Sequence, residues 1–495
     1  MDLKADAKVP SPPQSRVVVT ETPKFDLDSY IANYAGRTRY ARLYLIGISS
    51  KVLATEALKA AVAEAKAGND VQRYLDAVAA LRPHLTPGDQ DGVIDRSWVE
   101  RKEKQNKAES SRLEAELKGY KNNLIKESIR MGNEDLGAHY HAIGDLASAT
   151  KAYGRMRDYC TTPAHIASTS FRVIEVAIDQ NNWLAVQSSV HKIRNLQLKA
   201  DDHGKAQPKT QAAMGLSQMH AGDYRDAAIS FLNTDPSLGD KYNEVLTSND
   251  VAVYGGLCAL ASMSREELQA LVLDNTTFRN FLELEPHIRR AINFFCSAKY
   301  TQSLAILDAY RADYLLDLHL QRHLVKIYGR IRTKSIVQYF APFSHVTLDS
   351  MARTFASQDQ SNPPIEDELV PLIAAGTLKA KIDLEHRVLV ADEVDLRAEV
   401  HREALESVKR FKKEAHLKLM RMEFLNAGLE IKAPPRQGMG GGGGGFSSIA
   451  GDVLAGAGGA GGGGDMTGLQ QRGQGLAKDS RGGASGSGGG GGRKR

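Results

Sequence analysis

The chain has 495 residues, of which 42% are hydrophobic and 25% are charged. This composition is ordinary for a globular protein of two or three domains, and the formal net charge of +5 is too small for this length to indicate a nucleic-acid or membrane partner. The sequence has no apolar run of about 18 residues and its N-terminus lacks an apolar core, so we expect neither a membrane span nor a signal peptide.

The first ordered elements are predicted to begin near Phe25, because residues 1–24 are polar, contain prolines and are expected to be disordered. Apolar residues between Asp28 and Ser49 predict two short helices on either side of Gly36. A small basic cluster lies in this stretch and consists of Arg37, Arg39 and Arg42. We interpret the cluster as a solvent-exposed helix face in preference to a phosphate or partner site.

Two further helical regions follow. Residues 52–82 are rich in alanine and leucine and have strong helix propensity. A loop containing prolines and glycines is predicted over residues 84–95. The segment Trp98–Arg130 interleaves lysine with glutamate and is predicted to be one long helix with a solvated face.

A helical repeat is visible from residue 144 onward. Each copy has a polar turn residue, followed at fixed offsets by a small and then a large apolar residue. The turn residues are Asp145, Asn182, Asp223 and Lys299. Their separations of 37, 41 and 76 residues, the last counted as two repeats, are typical of tetratricopeptide-like helix pairs. Because one pair cannot bury its apolar face alone, we expect the pairs to stack into a solenoid over residues 25–310.

Three more helices are predicted after the solenoid. Apolar residues from Leu315 to Ile331 recur every three or four positions and predict one long helix. A short second helix is predicted at Thr347–Phe355, with its first residue as the cap. A third helix begins after Pro364 and ends at Gly376.

The pattern then changes from a helical to an alternating period. The residues from Leu378 to Ile382 alternate between apolar and lysine side chains, a turn follows at Asp383–His386, and Arg387–Val390 is predicted as a second strand. Three helices followed by a two-stranded hairpin predict a winged-helix module over residues 311–392.

A winged helix suggests DNA binding, but the charges here oppose it. The third helix would meet the DNA with its first turn, which carries three carboxylates. These are Glu366, Asp367 and Glu368. They would repel a phosphate-lined groove, and the cations on the wing, Lys379, Lys381 and Arg387, are too few to reverse that repulsion. We therefore expect a module that packs against other proteins and does not bind DNA.

The last helix is predicted at Leu396–Leu429, within a segment assigned to residues 393–432. Its apolar residues step by three or four and form one stripe, about 50 Å long at 1.5 Å per residue. Because such a helix extends past a small module, the stripe is expected to join a bundle with helices of other chains. The glycine-rich tail, residues 433–495, is predicted to be disordered, and its sparse arginine–glycine pairs favour a flexible tail over an RNA-binding one.

No pattern of catalytic residues emerges. The chain lacks a phosphate-binding loop and a nucleophile elbow. The pair His139 and His141 has no third ligand at a suitable spacing, so we interpret both as surface or packing residues.

The three cysteines are widely spaced and favour reduced thiols in a cytosolic or nuclear protein over a zinc site or a disulfide framework. Cys160 and His165 could form a nucleophile pair, but no residue near them in the sequence indicates an oxyanion-stabilising or orienting group. We therefore expect no catalytic residue, metal or cofactor.

One segment resembles a known family. The runs Gln338–Ala352 and Ile365–Asp383 resemble the PCI domain, which is shared by subunits of the proteasome lid, the COP9 signalosome and the translation initiation factor 3 complex. The block from Tyr30 to Leu43 resembles the signalosome branch of this family more than the lid branch. A lid subunit and a translation- or RNA-associated member remain as the alternatives.

The resemblance implies a mainly α fold and a non-catalytic scaffold. The fold would be a tetratricopeptide-like solenoid followed by a winged-helix PCI module and a long C-terminal helix, with disordered termini. The signalosome removes the ubiquitin-like modifier Nedd8 from cullins, and its metalloprotease is another subunit. Implied partners are the other signalosome subunits, above all subunits 2 and 3 in a ring of PCI domains, and cullin-RING ligases indirectly. The implied location is the cytoplasm and the nucleus.

Two surfaces are predicted to contact these partners. The wing offers an exposed strand edge for lateral pairing. Its predicted interface residues are Leu378, Lys379, Lys381, Ile382, Val388 and Val390. The predicted interface residues of the bundle helix are Val408, Phe411, Leu419 and Met422.

Overall fold

The computed structural model describes residues 17–85, 92–356, 364–392 and 396–429. The chain divides into two compact units after Val394, and each is described by itself. The predicted mainly α fold, with a helical solenoid followed by a winged helix, is confirmed. Most of the two segments predicted to be disordered, including all of residues 433–495, lies outside the described residues.

The N-terminal part forms four helices. Order begins before residue 25, because the backbone of Val19 bonds to Ser49 and Lys51 and its side chain is buried. Two helices flank Gly36, as predicted, and two follow in the alanine- and leucine-rich region. Their bounds are Leu27–Ala32 (α1), Gly36–Ser49 (α2), Ala54–Ala67 (α3) and Val71–Leu81 (α4), with a short 3₁₀ turn at Arg82–His84.

The prediction of a single helix from Trp98 to Arg130 is wrong. The structure has two helices, Arg96–Asn122 (α5) and Lys126–Ile143 (α6), with Leu124 between them at a φ of +56°. The two helices fold back on each other, and their apolar side chains share a small core. The interleaved lysine and glutamate residues lie on the solvent side of both helices, so their pattern does not show where the first helix ends.

The repeat forms stacked helices. The bounds from residue 144 to 262 are Leu146–Arg157 (α7), Pro163–Asp179 (α8), Trp183–Arg194 (α9), Ala200–Ala221 (α10), Tyr224–Leu232 (α11) and Ser248–Ser262 (α12). Those that follow are Arg265–Glu267 (α13), a π-helical turn at Leu268–Leu273, Thr276–Leu284 (α14), Pro286–Cys296 (α15) and Tyr300–Ala309 (α16). Short 3₁₀ and π turns interrupt the later pairs, so the array is irregular between α11 and α16.

The four turn residues found in the sequence occupy equivalent positions. Each immediately precedes the second helix of a pair, which is α7, α9, α11 or α16. Asp145 and Asn182 also cap their helices, by accepting hydrogen bonds from the backbone of Ser148 and Ala185. The repeat pattern therefore predicted where these helices begin.

In two helix pairs, a glycine on the first helix packs directly against a large aromatic side chain on the second. A Cβ atom at Gly137 of α6 would lie 2.6 Å from the ring of Tyr153 on α7. A Cβ atom at Gly215 of α10 would lie 2.9 Å from the ring of Phe231 on α11. Both rings are fully buried, so these glycines fix how closely the paired helices approach.

The winged helix contains a broken first helix and a third strand. Its helices are Arg311–Leu315 (α17), Leu324–Phe340 (α18), Leu348–Thr354 (α19) and Ile365–Ala374 (α20). Its strands are His345–Thr347 (β1), Ala380–Asp383 (β2) and Val388–Ala391 (β3), which form an antiparallel sheet in the order β1-β3-β2. The predicted long helix from Leu315 is wrong, because residues 316–323 turn between α17 and α18. Thr347 precedes α19 as predicted, but its side chain makes no capping hydrogen bond.

Two residues that end the third helix and form the turn of the hairpin have the conformations expected from the sequence. Gly376 follows α20 in the left-handed region with a φ of +69°, as expected for a helix end. The Asp383 carboxylate accepts hydrogen bonds from the backbone of Glu385 and His386 and closes the turn between β2 and β3. Among its described residues, the second unit contains one long helix, Leu396–Asn426 (α21).

Candidate interaction surfaces

The wing presents β2 as an edge strand. Since β3 lies between β1 and β2, the outer side of β2 has no strand partner among the described residues. Lys381 on β2 pairs across the sheet with Val390 on β3, and both side chains are exposed. An edge with free backbone groups and mixed apolar and charged side chains is suited to strand pairing with another chain.

The six predicted wing residues are not equivalent in the structure. Lys379 and Lys381 are exposed, Ile382 and Val388 are half-buried, and Val390 is 41% exposed. Leu378 differs, because only 3% of it is exposed and it packs in the core. Its side chain therefore stabilises the module and is not available to a neighbour.

The acidic first turn of α20 forms ion pairs within the module. Glu368 accepts a hydrogen bond from Arg332 at 2.8 Å, and Glu366 pairs with Arg387 at 3.2 Å. These pairs tie α20 to α18 and to the wing. Glu366 and Glu368 thus have a structural role within the module.

The apolar stripe of α21 is exposed. The four predicted bundle residues, Val408, Phe411, Leu419 and Met422, are 60–72% exposed. Further apolar residues near the end of the helix, including Leu417 and Phe424, are also exposed. A helix with apolar side chains on all faces of its last turns is ordinarily buried among other helices.

A buried arginine was not found by sequence reasoning. The interpretation of Arg42 as part of a solvent-exposed face is wrong, because none of its surface is exposed. Its guanidinium lies 3.0 Å from Asp250 and 2.6 Å from Asp317, two carboxylates on distant parts of the chain. Tyr34 donates a hydrogen bond to Asp250, and Tyr254 donates one to Asp317. The network ties the N-terminal helices to α12 and to the turn between α17 and α18.

The Arg42 network also explains the break before α18. Asp317 accepts hydrogen bonds from the backbone N–H groups of His319 and Leu320, which turns the chain. Burial by itself would raise the pKa of Asp317, but Arg42, His319 and the backbone donors hold that pKa below its ordinary value. The carboxylate thus stays ionised beside the arginine.

The other two arginines of the cluster are also paired. Arg37 contacts Asp70 at 3.1 Å and Asp179 at 3.0 Å, and both carboxylates are mostly buried. Arg39 lies 3.4 Å from Glu64 and is the most exposed of the three. The N-terminal arginines therefore hold helices of the chain together.

The histidines singled out in the sequence make ordinary side-chain contacts. His139 lies 3.0 Å from the hydroxyl of Ser110, and His141 lies 2.7 Å from Asp179. Within residues 17–85, 92–356, 364–392 and 396–429, no group of three or more His, Cys, Asp or Glu side chains is placed to hold a metal ion. In the same ranges, no helix is both long and apolar enough to cross a bilayer.

Known proteins match both the solenoid and the winged helix. A family model described as 26S proteasome subunit RPN7 matches residues 95–271, and one described as PCI domain matches residues 307–393. Several relatives carry the name COP9 signalosome complex subunit 1, and two of them are from fungi with high identity. The one from Emericella nidulans is 61% identical over 424 residues, which cover 84% of this chain and 85% of the relative. The one from Neurospora crassa is 42% identical over 405 residues, which cover 81% of this chain and 91% of the relative.

A third relative has the name 26S proteasome non-ATPase regulatory subunit 6 and comes from Caenorhabditis elegans. It is 23% identical over 313 residues, which cover 61% of this chain and 74% of the relative. The solenoid and the winged helix thus define a helical-repeat protein of the PCI class. Within that class, the identity to the two signalosome relatives decides the branch. The chain belongs to the COP9 signalosome subunit 1 family.

Proposed function

We propose that this chain is a non-catalytic scaffold subunit of the COP9 signalosome and supports the removal of Nedd8 from cullin-RING ligases. The observation that carries the proposal is the exposed apolar stripe of α21, in a family whose named members are subunits of a complex. Exposed apolar residues repeated along about eight helical turns favour burial against other chains. The metalloprotease and its zinc belong to another subunit.

The wing is the second contact in this proposal. The edge strand β2, with Lys379, Lys381 and Ile382 on or beside it and Val390 across from it, pairs with a neighbouring PCI domain of subunit 2 or 3. The solenoid supports the two contacts, and cullin-RING ligases are reached indirectly. The complex works in the cytoplasm and the nucleus.

The test is native purification. The tagged chain is isolated from its own cells and the co-purifying proteins are identified by mass spectrometry. We expect the signalosome subunits, including the metalloprotease, together with neddylated cullins. Recovery of the chain by itself would contradict the proposal.

A proteasome-lid subunit is the alternative that the same purification excludes, because the RPN7 family model also matches residues 95–271. It predicts proteasome chains in the same purification in place of the signalosome set. A translation- or RNA-associated role predicts ribosomal proteins instead, together with RNA binding that falls steeply with salt and is lost when residues 438–495 are deleted.

A further inference from the structure

One stretch of the chain carries only positive charge. Residues 318–348 contain no aspartate or glutamate. Within this stretch, four cations follow one another at intervals of four residues. They are Arg322, Lys326, Arg330 and Lys334. Three of them lie on α18, where a spacing of four residues places side chains on one face.

This face lines a groove of about 820 Å³. One wall is the row Lys326, Arg330 and Lys334 of α18, and the other sides are formed by Ala261 near the end of α12 and by Thr377 before the wing. Val337 adds an apolar surface, and no lining residue carries a carboxylate. We name this feature the α18 groove.

The cations of the α18 groove form no close ion pair, although Glu267 acts on Lys334 from a longer distance. Arg332, on another face of the same helix, is paired with Glu368. By contrast, in the part of the chain that the structure describes, no carboxylate lies within 4.0 Å of the side-chain nitrogens of Lys326, Arg330 or Lys334. Unpaired cations side by side repel one another and favour a ligand of opposite charge.

Lys334 and Arg330 are held in place by other contacts. The Lys334 ammonium donates a hydrogen bond to the carbonyl of Leu260 at 2.8 Å, and burial lowers the pKa of this lysine to about 8. The Arg330 guanidinium lies 4.7 Å from the ring centre of Tyr224. These two cations are therefore positioned before any ligand binds, which reduces the entropy lost on binding.

The shape of the row favours a peptide. Cations four residues apart on a helix are about 6 Å apart along its axis, so the row is linear. A second helix with a carboxylate at every fourth position has the same spacing. The apolar residues Ala261 and Val337 of the groove, and Val325, which is 75% exposed one residue before Lys326, suit the apolar side chains of such a helix. No aromatic side chain that would stack on a nucleic-acid base lines the groove.

We propose that the α18 groove binds an acidic helical segment of a partner protein. This contact is separate from the wing edge and from the stripe of α21, and it does not depend on the identity of the complex. The carboxylates of the segment pair with Lys326 and Arg330, and its apolar side chains cover Val337 and Ala261.

Substitutions at Gly329 test the charge of the groove most directly. It lines the groove between the cations, and an added Cβ atom would meet no other atom within 4 Å. Gly329→Glu therefore places a carboxylate in the groove without removing any contact, and the loss of a helical glycine favours folding. Gly329→Gln fills the same volume without the charge and is the matched control.

The probe is a fluorescein-labelled, alanine-rich helical peptide with glutamate at every fourth position, compared with the same peptide carrying glutamine. Fluorescence anisotropy with the full-length chain should show binding of the glutamate peptide that weakens with salt, and binding of the glutamine peptide at least about tenfold weaker. Gly329→Glu should weaken binding of the glutamate peptide at least about tenfold, whereas Gly329→Gln should stay within about twofold. All variants keep the arginines of the tail, so binding to the tail cancels in the comparison.

Two results would overturn the proposal. One is equal affinity of the wild type and Gly329→Glu for the glutamate peptide. The other is binding of tripolyphosphate or of single-stranded oligouridylate that is sensitive to Gly329→Glu, without binding of the glutamate peptide. That result would assign the groove to a phosphate ligand.

Discussion

At the scale of single residues, the Arg42 network has the largest expected effect on stability. Arg42 pairs with both Asp250 and Asp317 inside the protein, so removing it leaves the two buried carboxyl groups without their shared counter-charge. We predict that Arg42→Met lowers the free energy of unfolding by about 3–5 kcal/mol, as measured by urea denaturation.

Arg39→Met is the control for this prediction. Arg39 belongs to the same helix, but its ion pair with Glu64 is longer and substantially exposed. Its loss should change the free energy of unfolding by less than about 1 kcal/mol. Equal effects of the two substitutions would show that the Arg42 network does not stabilise the fold.

A second residue-scale feature is a chain of three histidines beside this network. Tyr224 lies 3.3 Å from His323, His323 lies 3.3 Å from His220, and His220 lies 3.2 Å from His319. Trp183 stacks on His220 at 3.8 Å between ring centres. Burial lowers the pKa of His220 to about 2 and that of His319 to about 4, and it also lowers the pKa of His323.

These pKa values predict a loss of stability in mild acid. In the unfolded chain each histidine takes up a proton near pH 6.5, whereas the folded chain keeps all three neutral to lower pH. The unfolded state therefore binds more protons below pH 6.5, and the free energy of unfolding falls by up to about 1.4 kcal/mol per histidine for each pH unit until the folded-state pKa is reached.

Thermal unfolding at pH 7.5 and pH 5.5 measures this dependence. His220→Gln should reduce the decrease in melting temperature between the two pH values, because one buried titrating group is lost. His203→Gln, at an exposed histidine of α10, should leave the decrease unchanged. A decrease that is the same in both variants and in the wild type would assign the acid sensitivity to other groups.

At the scale of secondary-structure elements, helix pairing depends on the glycines of the first helices. Gly137→Ala would place a methyl group against the ring of Tyr153, and overpacking of this kind costs about 1–3 kcal/mol, more than the gain in helix propensity. Gly154→Ala, on α7, has no neighbour within 4 Å and should stabilise by up to about 1 kcal/mol. Urea denaturation should therefore show shifts of opposite sign, and a stabilising Gly137→Ala would contradict the packing account.

The elements that the sequence predicted well are those with local signals. The start of α20 after Pro364, its end at Gly376 and the turn at Asp383 each depend on residues within a few positions. The repeat turns at Asp145 and Asn182 are also local, because the side chain caps the helix that follows.

The features that sequence reasoning missed depend on distant residues. The two carboxylates that pair with Arg42 are 208 and 275 residues away, so no charged residue near Arg42 in the sequence indicates that it is buried in an ion pair. The break before α18 follows from the same contact with Asp317, in a stretch whose apolar spacing fits a continuous helix. Strand β1 has three residues and, in the described ranges, pairs with β3 alone, so its sequence is too short to show an alternating pattern. The burial of Leu378 likewise depends on the packing of the whole module.

At the scale of the whole molecule, the residues that stabilise the fold and the residues predicted to contact other subunits lie in different units. Residues up to Val394 form one compact unit whose core extends from the solenoid into the winged helix. The helix α21 belongs to the other unit and exposes its apolar stripe. Substitutions on the stripe should therefore affect association and leave the fold of the first unit intact.

The most direct measurement is co-purification of the variant Phe411→Asp with Leu419→Asp. We predict that the recovery of the other signalosome subunits falls at least about tenfold, because two carboxylates would be buried in the helical bundle. The circular dichroism and melting temperature of the isolated chain should not change. The control, Leu124→Asp with Leu184→Asp, also introduces two aspartates at exposed apolar positions, here two leucines of the solenoid that are about 80% exposed, and it should co-purify normally. Normal recovery of the complex with the α21 variant would contradict the assignment of this helix as the assembly element.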